Sequence, residues 1–247
     1  MSAGLFVSAS GMLAEDARAD VIANNLANVR TAGFRKDFVS FRQRFLGARD
    51  RANARGSAAP GLVLDRTAWD REPGPVETTG RALDFAIRGD GWFRIQREGK
   101  TFYTRAGDFI VDSGGTLRTS DGKGEVMASS GEPVNLAGVQ RFEVNERGDI
   151  TTPDGVIATL AVVDFDRPGA LAKAGEALFL DPGTAGAHAA AGAEIYQGGL
   201  EQSSVEPVRE MVAMIAAFRS YEMNAQVLKM QDEMLGRAAN DVGRLQA

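Results

Sequence analysis

Few residues of this chain combine the types and spacing that chemistry requires. The sole histidine, His188, lies in an Ala- and Gly-rich stretch whose nearest acids along the chain are Asp181 and Glu194. An imidazole that shuttles protons or holds a metal needs an orienting acid or further ligands beside it; none is close in sequence. Gly99-Lys100-Thr101 ends like a phosphate-cradling loop, yet Arg94 stands where that loop's first glycine belongs, and the surroundings read strand, turn, strand. Gly89-Asp90-Gly91 opens a dinucleotide-binding pattern and meets Arg94 at its third glycine. Both read as hairpin turns. Asp164 and Asp166 flank Phe165 like paired acids, but strand alternation turns both to solvent and no third group converges on them. Met211, Met214, Met223, Met230 and Met234 lie in a helical pattern, where thioethers are adaptable packing rather than metal ligands. With no cysteine in 247 residues, thiolate nucleophiles, disulfides and zinc–thiolate sites are excluded. The reading is no catalytic residue, no metal and no cofactor, so the chain is expected not to be an enzyme.

The elements that carry these residues change period twice. Over residues 2–28, Leu5, Ala9, Met12, Asp16, Ala19, Ala23 and Leu26 alternate steps of four and three, which predicts a helix ended by Asn28 and Gly33. A shorter helical stretch is expected from Arg35 to Leu46, where Phe34, Phe38, Phe41 and Phe45 share one face, and then a loop from Gly47 to Gly61. From Leu62 to Tyr196 the period falls to two. Phe85 and Ile87, Phe93 and Ile95, Thr101 and Tyr103, Phe109 and Val111, then Val156 to Val162 alternate between turn formers, which predicts an antiparallel β domain with Gly183–Gly192 as an exposed loop. The helical period returns near Glu206. Ser203 and Glu206 have capping-box spacing and Pro207 suits a first turn. Beyond them Met211, Met214, Phe218, Tyr221, Ala225, Leu228, Asp232, Leu235, Ala239 and Val242 form a strict seam, with Asp16 and Asp232 as polar exceptions that help set register.

The expected fold class is therefore α+β: long N- and C-terminal helices pairing as a coiled coil, with a central antiparallel all-β domain. The expected divisions are an N-terminal helix and junction over 1–36, a connecting segment over 37–70, the β domain over 71–197 and the C-terminal helix over 198–247, with the two ends forming one helical domain.

A net charge of -5 and a pI near 5.1 oppose general nucleic-acid binding, which needs a basic footprint. The stretch from Arg30 to Arg55 is locally basic and is read as facing an acidic partner subunit. No run approaches the roughly 18 apolar residues of a membrane span. Glu15 and Asp16 precede the first basic residue, Arg18, so the chain is expected to carry neither a membrane segment nor a cleaved secretory leader.

Magnitudes then decide what the helical ends do. Burying a large apolar side chain stabilises by roughly 1.5–3 kcal/mol, against about 0.3–0.5 for an exposed helix charge pair. Even a paired set of ends would leave Phe6, Leu13, Val21, Ile22, Val212, Ile215 and Val227 in water, so further partners are required. A structural subunit is the leading class. A free-standing β-domain binding module would instead keep its function without the terminal helices, and an enzyme would need convergent titratable groups in a cleft.

Two segments carry a resemblance. Asn24-Asn25-Leu26-Ala27-Asn28-Val29-Arg30-Thr31-Ala32-Gly33-Phe34-Arg35-Lys36 and Gly199-Leu200-Glu201-Gln202-Ser203-Ser204-Val205-Glu206-Pro207-Val208-Arg209-Glu210-Met211 closely resemble the signatures of the bacterial flagellar basal-body rod and hook family. Asp84 to Phe93 and Tyr103 to Phe109 resemble the β domain of its rod members. Ser204 departs from the pattern, which usually has Asn there. The resemblance implies a rod subunit that polymerises helically with copies of itself and with other rod subunits. Export would run through the flagellar type III apparatus without a cleaved signal, and the location would be the periplasmic rod of the basal body. Chain length and Val205-Glu206-Pro207-Val208 favour a proximal-rod subunit over a distal one. The expected assembly interface is Leu5, Ala9, Met12, Asn24, Asn25, Leu26, Asn28, Met211, Met214, Phe218, Tyr221, Leu228 and Leu235.

Overall fold

The computed structural model describes residues 3–46, 59–139, 141–175 and 177–244. They divide into two compact units, one of Met1–Ala27, Asp37–Ala68 and Glu206–Ala247 and the other of Asn28–Lys36 and Trp69–Val205.

The first unit is built on α1 (Ala3–Ala27) and α2 (Pro207–Arg244), with strands β1 (Asp37–Leu46) and β2 (Ala59–Trp69) paired as a ribbon. Pro207 takes the first helical position, where its missing N–H costs nothing, and the Glu210 N–H donates to Glu206 O at 3.1 Å to open the ladder. Ser203 lies too early to cap α2: its hydroxyl accepts the Val205 N–H at 3.3 Å, so the expected capping box does not form. The helix expected over Arg35–Leu46 is a strand instead. The 4-3-4 aromatic spacing suggested a helix face, but aromatics and Val39 also suit extended backbone, and β2 supplies the partner. Most of the expected Gly47–Gly61 loop lies outside the described residues, and its last three positions belong to β2.

In the second unit the strands in chain order are β3 (Val76–Thr78), β4 (Phe85–Arg88), β5 (Trp92–Arg97), β6 (Lys100–Thr104), β7 (Phe109–Val111), β8 (Leu117–Thr119), β9 (Glu125–Val126), β10 (Glu143–Val144), β11 (Asp149–Thr152), β12 (Gly155–Thr159), β13 (Val162–Phe165), β14 (Ala172–Lys173), β15 (Leu178–Leu180), β16 (Ala187–Ala189), β17 (Glu194–Gln197) and β18 (Gly199–Glu201). The main sheet runs β14-β15-β6-β5-β9-β8-β7, with β13 joining β5 to β16; β10-β11-β12, β17-β4 and β18-β3 form smaller sheets. The pairings are antiparallel, as short strands joined by tight turns require. Of the alternating residues read from sequence, Phe85, Ile87, Phe93, Ile95, Phe109 and Leu160 are buried together with Leu117, whereas Val111 and Val156 are exposed. A second cluster stacks Trp69, Trp92 and Phe179 edge to face, with centroids 4.7–5.7 Å apart. The stretch expected as a loop over Gly183–Gly192 contains β16, whose Ala187, His188 and Ala189 pair with Phe165, Asp164 and Val163.

Beside that aromatic cluster lies a buried ionic group. The Glu201 carboxylate stands 2.9 Å from Arg35 Nη2 and 3.5 Å from Arg105 Nη1, and both guanidiniums approach the Trp92 ring. Arg35 also donates to Glu72 O, and Arg105 to Ile87 O and Gly89 O. Burial raises the Glu201 carboxyl above its ordinary value and lowers both guanidiniums, while the attraction between them opposes each shift. Removing one partner of such a group leaves the others charged and uncompensated, at about 3–5 kcal/mol. Glu201→Gln is therefore expected to lower the unfolding free energy of this unit by that amount, read as a lower urea midpoint. The fluorescence of its two tryptophans follows the transition, and an unchanged midpoint would refute the assignment.

Candidate assembly surface

Two contacts fix how α1 and α2 run in the first unit. Gly11 packs on Asn224, and the Asn25 side chain meets Glu210. Since Gly11 to Asn25 spans as many residues as Glu210 to Asn224, the helices are antiparallel in constant register. α2 has 38 residues and α1 has 25, so α2 runs on beyond the start of α1. At Gly11 a Cβ would stand 3.1 Å from Asn224 Nδ2, which explains a glycine inside a helix despite its propensity cost.

The least exposed row of α2 is small and polar. Glu210 and Ala217 are buried and Asn224 and Gln231 half-buried, one heptad apart, and Ala213 and Ser220 between them are half-buried too. On α1, Ser8, Ser10, Ala14, Ile22 and Asn25 are buried. The large apolar side chains fall elsewhere. Val212, Ile215 and Phe218 are 62%, 54% and 56% exposed, and Val7, Leu13, Val208, Met223, Met230 and Met234 are also exposed. Val208, Val212, Ile215, Phe218, Met223, Met230 and Met234 thus leave the outer side of α2 apolar and bare.

The residues expected at the interface divide between these environments. Met211, Phe218, Tyr221 and Leu235 are exposed, Met214 and Leu228 half-buried, and all six lie off the buried row by about one position. On α1, Leu5, Ala9, Met12 and Leu26 are half-buried, while Asn24 is exposed. The polar exceptions Asp16 and Asp232 are exposed. Of the apolar residues expected to stay in water, Leu13, Val212, Ile215 and Val227 do so, Val21 is half-buried and Ile22 is buried.

Asn25 serves the unit's interior. Its Nδ2 donates to Asp37 O at 2.8 Å and to Glu210 Oε2 at 3.2 Å, and its Oδ1 accepts the Asp37 N–H at 2.8 Å. An amide alone satisfies a backbone donor and acceptor together with a carboxylate, without adding charge. This latch joins the end of α1, the start of β1 and the first turn of α2.

In the second unit the remaining signature residues meet one another. Asn28 is buried and accepts the Thr31 hydroxyl at 3.1 Å. Gly33 donates to Glu201 O at 2.8 Å, Ser204 N donates to Phe34 O at 3.0 Å, and Ser204 Oγ accepts the Lys36 N–H at 2.9 Å. Gly33 has φ +62, and an added Cβ would lie 2.3 Å from Ala106 N, so no other residue fits there. Ser204 is a residue whose role sequence reasoning missed: its hydroxyl fills a backbone-capping place in this junction. Sequence reasoning also missed the acids at His188. Strand pairing sets Asp164 opposite it, with His188 Nε2 3.6 Å from Asp164 and Nδ1 3.8 Å from Asp166. These contacts are longer than hydrogen bonds, and among the described residues no group of three or more His, Cys, Asp or Glu is arranged to hold a metal. No described helix is long and apolar enough to cross a membrane.

Three family models match the chain. Residues 5–35 match the family model "Flagella basal body rod protein", 86–152 the "Flagellar hook protein FlgE/F/G D1 domain", and 196–241 the "Flagellar basal body rod FlgEFG protein C-terminal". The chain is 32% identical over 262 residues to the flagellar basal-body rod protein FlgG of Bacillus subtilis, covering 97% of this chain and 99% of that protein. It is 32% identical over 254 residues to FlgG of Agrobacterium fabrum, covering 93% and 95%. It is 29% identical over 255 residues to the rod protein FlgF of Caulobacter vibrioides, covering 99% and 100%.

The latch and the exposed amide beside it make opposite predictions. Asn25→Ala strands buried backbone groups that cost about 1–3 kcal/mol each, so the helical signal of the isolated chain is expected to melt at distinctly lower urea. Asn24→Ala, at an exposed position, is expected to lower that midpoint distinctly less than Asn25→Ala does. Equal effects would show that Asn25 is not the latch.

Proposed function

The chain belongs to the flagellar basal-body rod family, and from that footing we propose that it polymerises into the rod through the bare apolar faces of its terminal helices. Members of this family are structural proteins of the basal body, and rod membership implies assembly with other rod subunits. The observation that carries the proposed interface is the inversion on α2: the row turned inward is Glu210, Ala217, Asn224 and Gln231, while Val212, Ile215 and Phe218 face solvent. Each large side chain of that face would contribute roughly 1.5–3 kcal/mol once covered. Copies of the chain and other rod subunits cover it in this reading, with Met211, Phe218, Tyr221 and Leu235 at the contact and Leu5, Ala9, Met12, Met214, Leu26 and Leu228 along its margins. Asn24 meets a neighbour, whereas Asn25 and Asn28 support the interface from within.

Family membership also supports delivery by the flagellar type III export apparatus, without a cleaved leader, and assembly in the periplasm. Two placements along the axial drive shaft rest on different observations. Val205-Glu206-Pro207-Val208 and the length of the chain favour the proximal rod, as for FlgF. The higher identity to the FlgG relatives favours the distal rod. Labelling the chain in isolated basal bodies separates them, because a proximal subunit is marked at the inner end of the rod and a distal one beyond it.

Val212→Asp combined with Ile215→Asp tests the interface. Both positions are already wet, so the purified chain is expected to keep its unfolding free energy within about 1 kcal/mol, while cells carrying only this version lose swimming and lack complete basal bodies. Normal swimming with complete rods would remove the proposal.

A further inference from the structure

The β11–β12 hairpin presents a surface that its own unit leaves uncovered. β12 is the outer strand of its sheet, and Val156 and Ile157 on it are 63% and 42% exposed. An apolar edge strand invites further contact unless something covers it. From Asp149 to Thr159 the hairpin carries two acids and no Lys or Arg. Asp149 is taken up by the Asn145 amide and the Thr159 hydroxyl. Asp154, at the turn, has no ion pair among the described residues and is exposed.

The same unit also contains a cleft of about 710 Å³, floored by Ala106, Phe109, Leu178 and Leu200. Its volume lies within the range that takes a buried group of ligand size, roughly 300–1,000 Å³. Of the cations lining it, Arg81 and Arg97 are held by Asp84 and Asp121. Arg30 and Lys123 also line it, and among the described residues neither makes an ion pair.

We propose that the β11–β12 hairpin of one copy seats in this cleft of a neighbouring copy, with Val156 and Ile157 on the apolar floor and Asp154 against Arg30 and Lys123. The proposal rests on the polymer reading given above and adds a second, β-to-β contact to it. Charge complementarity selects this occupant: the hairpin, with acids and no Lys or Arg, meets a cleft whose lining carries Arg30, Arg81, Arg97 and Lys123 against Asp108 and Asp121, and among the described residues Arg30 and Lys123 make no ion pair. Hairpin and cleft share no residue, so the contact is heterologous and every copy offers one of each, as a helical polymer needs.

The absence of cysteine makes the test direct. Two differently tagged versions, Asp154→Cys and Lys123→Cys, are produced together in cells lacking the natural chain, and isolated basal bodies are treated with a short bis-maleimide. The expected product carries both tags and is not formed when Asp154→Cys is combined with Lys100→Cys, at the tip of the β5–β6 hairpin. In parallel, Asp154→Lys is expected to reduce incorporation into rods by about fivefold, with Lys123→Asp restoring part of it. Rods that contain the chain but link Asp154→Cys to neither site, or equally to both, overturn the hairpin contact and leave the polymer reading intact. Basal bodies that never contain the chain overturn both.

Discussion

The Glu201 strut is the interaction on which the junction of this protein depends. Its backbone carbonyl takes the Gly33 N–H and its carboxylate takes Arg35, so one residue near the end of the chain holds two near the beginning. Arg105 binds the other carboxylate oxygen and reaches the carbonyls of Ile87 and Gly89, which carries the same strut into the main β unit. Buried ions are a poor source of stability, since apolar side chains of equal volume often serve as well. Direction is what they add. A carboxylate between two planar forks accepts few arrangements, and Gly33 and Ser204 complete it with backbone bonds that tolerate no shift in register.

A different economy governs the helix pair. Its inner row is made of Ala, Ser, Asn, Gln and one buried carboxylate, which bring helices close but bury little apolar area. The Asn25 latch compensates with three directed hydrogen bonds at one end. The large side chains of α2 stay outside. A helix pair built this way has modest internal apolar packing and depends on directed polar contacts to fix its register.

That arrangement also explains which features were legible in the sequence. A regular apolar period announces that a helix has a face to bury, and α1 and α2 lie within one or two residues of expectation. The period does not say where the face is buried. Hydrophobicity weighs Phe218 and Ile215 above Ala217 and Ser220, so the row that meets α1 was passed over in favour of the larger one beside it. β1 was misread because the 4-3-4 spacing of Phe34, Phe38, Phe41 and Phe45 fits a helix face, whereas the strand is set by pairing with β2, a partner distant in sequence. The same limit hid the acids around His188, which strand pairing and not chain proximity brings there. The buried character of Arg35 and Arg105 could not be read at all, because nothing local distinguishes an arginine beside Trp92 from one in water.

Locally strong patterns and long-range polar contacts thus carry different information. The β unit's core follows from alternation alone: Phe85, Phe93, Phe109 and their neighbours point inward wherever strands pair. Its polar contacts follow from three-dimensional closure, and these are the contacts that make the fold specific. Gly33 illustrates the link between the two. Its left-handed backbone and its approach to Ala106 are needed only because Glu201 pulls the junction against the β unit. A glycine there, an amide at position 25 and a carboxylate at position 201 are therefore one solution to one problem: bringing segments near the two ends of a long chain together through directed polar contacts.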